Sequence, residues 1–235
     1  MTGLSSELPN VHQRSAFLSF MSLATVLWIS ASYECAAANA AIPADTTSSD
    51  KLRASAEPFE NLTEVAFSAT LPAIDRAIGE AEAAARKVRG LLPADAMSRM
   101  DAEISAMKSA RQKGDRAGLA LFSIEAYRVL VSNVTDNAKV PIEVSLLDYA
   151  GFRCGADLKA SPIRWGDMGQ AVSFAHENWH KILPRAKSFP VANAFEKALT
   201  DMDNAVSKKN DSLAVSSVKA ELDLVDELEK AFLKY

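Results

Sequence analysis

The segment whose residue types and spacing point most directly to chemistry is His176-Glu177-Asn178-Trp179-His180, an H-E-x-x-H sequence. Histidines four apart on a helix project to the same side, so two imidazoles can grip one divalent transition metal such as zinc. A Glu directly after the first His can activate a metal-bound water. Past residue 40 these are the only histidines in the chain; the other is His12. Met168, Ala171, Val172, Ala175, Trp179 and Ile182 mark the stripe of this helix that should be buried. At 100° per residue, His176 falls about 80° and His180 about 120° from the centre of that stripe. The imidazoles therefore flank a core, and Glu177 faces away from it. A zinc-dependent hydrolase with His176 and His180 as ligands and Glu177 as general base also needs a third ligand and a substrate cleft, and no downstream motif supplies the ligand.

Glu221 is the second candidate. It falls in the middle of an apolar face formed by Val218, Val225, Leu228 and Phe232. A carboxylate there is costly unless it is paired, hydrogen-bonded or bound to a metal. One reading is a Glu–Arg or Glu–Tyr contact that fixes helix register. The other brings Glu221 against His176 or His180, since helical bundles build metal sites from inward Glu and His on different helices. A di-iron carboxylate centre is disfavoured, because it needs two Glu-x-x-His pairs and only Glu177–His180 has that spacing.

A third group is Asp148-Tyr149 with Arg153, inside the apolar run Ile142 to Leu158. Charges in such a run want partners, and Asp148 with Arg128 or Arg153 is the expected pair. Ligand contact is the alternative, with Trp165 and Trp179 as possible lining. Cys154 reads as a buried thiol. Met97, Met100 and Met107, at helical spacing, read as core filling rather than a copper site. No P-loop, G-x-G-x-x-G, G-x-S-x-G or C-x-x-C-H sequence is present, so nucleotide binding, a serine-hydrolase elbow and covalent haem have no support.

The elements that must position these residues are helices. The chain has 235 residues, 49% apolar and 24% charged, with 9 Gly and 9 Pro against 41 Ala. That composition favours an all-α, up-and-down bundle of six or seven helices over residues 57–235. A net charge of −4 argues against a nucleic-acid binder that works through bulk basic charge. The hairpin around 95–131 is echoed around 191–228, which suggests two duplicated helical hairpins. At an offset of 95, Met107, Ala110 and Lys113 fall on Met202, Ala205 and Lys208. After one inserted residue, Asp115, Leu119, Phe122, Glu125 and Val129 fall on Asp211, Val215, Val218, Glu221 and Val225.

The N-terminus reads as an export signal. Ala16 to Ala31 carries no charge, Arg14 precedes it, and Ala38-Asn39-Ala40 offers small residues for cleavage after Ala40. The run is short for a membrane span, which needs about 20 residues. The expected product is a periplasmic protein with no stable membrane anchor, beginning with a flexible tether over 41–56. Its expected function is to bind a metal ion or small ligand through His176, His180 and Glu221. The alternatives are the zinc-dependent hydrolase and a structural or partner-binding bundle.

Overall fold

The computed structural model describes residues 47–135 and 138–234. The first helix, α1 (Ser48–Val65), starts from a reciprocal cap. Thr47 Oγ1 accepts from the Asp50 amide at 3.1 Å, and the Asp50 carboxylate accepts from the Thr47 amide at 3.1 Å. Leu52, Ser55, Ala56 and Phe59 then form its buried side. Residues 48–56 of the tether expected over 41–56 are therefore helical, and 41–46 lie outside the described residues. The polar, serine-rich look of this stretch misleads because Ser49 and Ser55 face inward. The export-signal reading lies outside the described residues.

Seven further helices follow: α2 (Leu71–Val88), α3 (Ala94–Lys113), α4 (Arg116–Val131), α5 (Ile142–Leu158), α6 (Trp165–Ala186), α7 (Ala192–Lys208) and α8 (Asp211–Lys234). The count is eight rather than six or seven, and no strand occurs among the described residues. None of the described helices is long and apolar enough to cross a membrane.

Short connections make sequence neighbours into spatial neighbours. Helix α1 packs on α2 and α4, α3 packs on α4, and α2 meets α3 along a short line. In the same order, α5 packs on α6 and α8, and α7 packs on both α6 and α8. The result is two four-helix rings joined where α4 lies against α5.

The rings share more than topology. The α3–α4 turn passes through Gly114 at φ 71° and the α7–α8 turn through Lys209 at φ 48°. Asp115 N donates to Ala110 O and Asn210 N to Ala205 O, each at 2.9 Å. Asp115 Oδ1 and Asn210 Oδ1 then cap the next helices, accepting from Gly118 N at 2.8 Å and Leu213 N at 3.0 Å. The turns thus align at 95 with no inserted residue. At that offset Leu119, Ser123, Ala126 and Leu130 match Ala214, Val218, Glu221 and Val225, all buried. The counterpart of Glu221 is therefore Ala126, not Glu125. Sequence alone does not fix this register, because α4 is apolar on nearly every side and a one-residue shift costs few matches.

The correspondence extends to the other helices. Leu52, Phe59 and Leu62 of α1 match Leu147, Cys154 and Asp157 of α5. At an offset of 94, Ile74, Ile78, Ala81, Ala84, Ala85 and Val88 of α2 match Met168, Val172, Ala175, Asn178, Trp179 and Ile182 of α6. Every residue in both sets is buried.

Candidate functional site

His176 and His180 do share one side of α6, with ring centroids 6.2 Å apart. His176 Nε2 lies 2.8 Å from Asp203 Oδ2 on α7, and His180 and Glu177 are exposed. The corresponding place in the first ring holds an ion pair between Glu82 of α2 and Lys108 of α3. His176–Asp203 thus occupies the position of an ordinary inter-helix pair with its polarity reversed.

Glu221 is fully buried, as its apolar setting on α8 required. Its carboxylate lies over Gly151 of α5, where a Cβ would come within 2.1 Å of Oε2. Glycine here gives the carboxylate its room, which is why α5 tolerates a glycine in mid-helix. Burial, with Glu221 nearby, pushes the Cys154 thiol well above its usual range. Among the described residues, no group of three His, Cys, Asp or Glu is placed to hold a metal ion. The structure therefore brings the two imidazoles together but does not join Glu221 to them in a ligand cluster.

In the third group, Glu125 of α4 gathers both guanidinium groups. Arg128 Nη2 lies 2.8 Å from Glu125 Oε2, Arg153 Nη1 pairs with Oε1, and the Tyr149 hydroxyl donates to Oε1 at 2.7 Å. Arg153 Nη1 also donates to the Tyr149 oxygen at 2.8 Å. Tyr149 is held edge-on against Phe174, with centroids 5.4 Å apart. Burial and the neighbouring Glu125 carboxylate push the Tyr149 phenol upward, so it stays a donor.

Beside this network opens a cleft of about 280 Å³, where α3 and α4 of the first ring meet α5 and α6 of the second. Its charged lining comprises Glu103, Glu125, Asp157 and Asp167 against Arg153 and Arg164. Asp157 is the unusual member. Its side chain is fully buried, and neither carboxylate oxygen accepts a hydrogen bond from the described residues. Arg153 Nε approaches it only to 3.9 Å. Burial raises the Asp157 pKa from 3.8 to about 6, against the pull of Arg153. Burial and the Glu125 charge also push Glu103 upward.

Sequence reading reached Tyr149 and Arg153, and Glu125 through its supposed match to Glu221. It missed Asp157. A signal was available: Asp157 lies three residues after Cys154 and seven after Ala150, on the buried stripe of α5. Trp179 does not line this cleft; it packs on Phe195 in the core between α6 and α7. No family model, no curated protein and no solved structure matches the chain.

Proposed function

We propose that this chain is a helical binding protein that holds a small, nitrogen-bearing polar ligand in the cleft between its two rings. Export follows if the N-terminal signal acts as its sequence reads. One observation carries the reading: Asp157 keeps two buried acceptor oxygens without hydrogen bonds at the wall of a cleft. Buried carboxylate oxygens are normally satisfied, and leaving them bare is costly. Donors on a protonated nitrogen would satisfy them. The lining favours such a group, since its carboxylates outnumber its guanidiniums. Arg153 is already committed to Glu125, so Arg164 is the group that would meet an anionic arm.

Calorimetric titration with putrescine and with arginine tests this. Both should bind the wild-type protein, and Asp157→Asn should weaken each by at least about tenfold. Arg164→Gln should weaken arginine, which carries a carboxylate, and leave putrescine unchanged. If neither compound binds, or binding survives Asp157→Asn, the proposal fails.

A further inference from the structure

The crevice between α2 and α3 is explained by comparing the two rings. In the second ring, Trp179 of α6 lies on Phe195 of α7 with centroids 4.7 Å apart and planes at 36°, both side chains buried. The matching positions in the first ring are Ala85 and Met100. No indole fills the space there, and a crevice of about 160 Å³ lies between the helices. Its floor is Ala85, Leu92, Met97, Met100 and Ile104. Methionine adapts its shape and makes favourable sulfur–aromatic contacts.

The rim supplies polarity. Arg89 is held by Asp101 through two contacts of 2.6 Å, and Glu82 is held by Lys108. Arg86, also at the rim, is exposed and makes no ion pair among the described residues.

We propose that this crevice is a separate binding site for a small planar aromatic ring bearing a short carboxylate arm. The ring takes the place that the Trp179 indole takes in the sister ring, and the carboxylate meets Arg86. The site lies within the first ring and shares no residue with the polar cleft, so it stands or falls independently of that reading.

Saturation-transfer NMR with indole-3-acetate and with indole tests the proposal on the full chain. Wild type should bind both. Ala85→Trp, which carries its own indole into the crevice, should weaken both by at least about tenfold. If Ala85→Trp does not fold, Ala85→Leu, a smaller plug, should show the same direction. Arg86→Gln should weaken indole-3-acetate by about fivefold and leave indole unchanged. Asp157→Asn should change neither. Absence of transfer to wild type, or undiminished binding in the plugged variants, overturns the site. Equal loss of both probes in Arg86→Gln overturns the assignment of the carboxylate.

Discussion

Trp179 and Ala85 stand at the same place in two rings with the same helix order, the same turn between their last two helices and the same pattern of burial. One ring is closed at that place by an indole stacked on Phe195; the other is left creviced. The same contrast recurs at Glu221 and Ala126, and at His176–Asp203 and Glu82–Lys108. The scaffold tolerates a large aromatic or a methyl, a buried carboxylate or a methyl, at equivalent positions. Architecture therefore resides in the shared stripe of apolar residues, and individual chemistry in the few positions where the rings differ.

The largest test of that contrast is reciprocal. Trp179→Ala should cost about 3–5 kcal/mol in urea denaturation, the usual range for emptying a large aromatic site. Ala85→Trp should change stability by no more than about 1 kcal/mol, because the crevice already offers the volume. Comparable losses in the two variants would break the equivalence.

Next in size is the Glu221 position. Gly151→Ala should destabilise by about 1–3 kcal/mol, because the new methyl meets both the Glu221 carboxylate and Leu222. Adding Glu221→Ala should recover part of that loss. Simple additivity in the double variant would show that the close approach is not what requires glycine.

A pH effect should follow. Burial raises Asp157 to about 6, and burial with Glu64 and Glu57 raises Glu60 to about 7. Both carboxyls hold a proton more tightly folded than unfolded. Their ionisation therefore penalises the folded state fully above about pH 7, and the penalty is relieved as pH falls toward 4. Urea midpoints should rise from pH 8 to pH 5. Asp157→Asn should flatten part of that rise and stabilise the protein at pH 8. A midpoint that falls over this interval in wild type would contradict the assignment.

The smallest effects belong to the surface pairs. Lys108→Ala and His176→Ala should each shift stability by less than about 1 kcal/mol. A markedly larger cost at His176 would separate it from Lys108 and restore the case for a specialised role.

Much of the helical architecture was legible because α2, α6 and α7 keep their apolar residues on one stripe, and because Thr70, Pro72, Pro93, Asp115 and Pro141 mark helix starts. The start of α1 was not, since buried serines carry no hydropathy signal. The register of the repeat slipped in α4, whose near-continuous apolar sequence fits more than one alignment. At the cleft, Tyr149 and Arg153 stood out as polar residues in an apolar run. Asp157 sits near the end of the same run, where a terminal charge looks like a solvated helix end. Its burial depends on how α4, α5 and α6 converge, and that is a tertiary fact no local pattern encodes.

The most direct test of the binding account is calorimetric titration of the wild-type protein with putrescine at pH 7.5 and at pH 5. Protonation of Asp157 near pH 6 predicts an affinity about tenfold lower at pH 5. Asp157→Asn should bind weakly at both values. Absence of binding at pH 7.5, or an affinity indifferent to pH, would contradict the role assigned to that carboxylate.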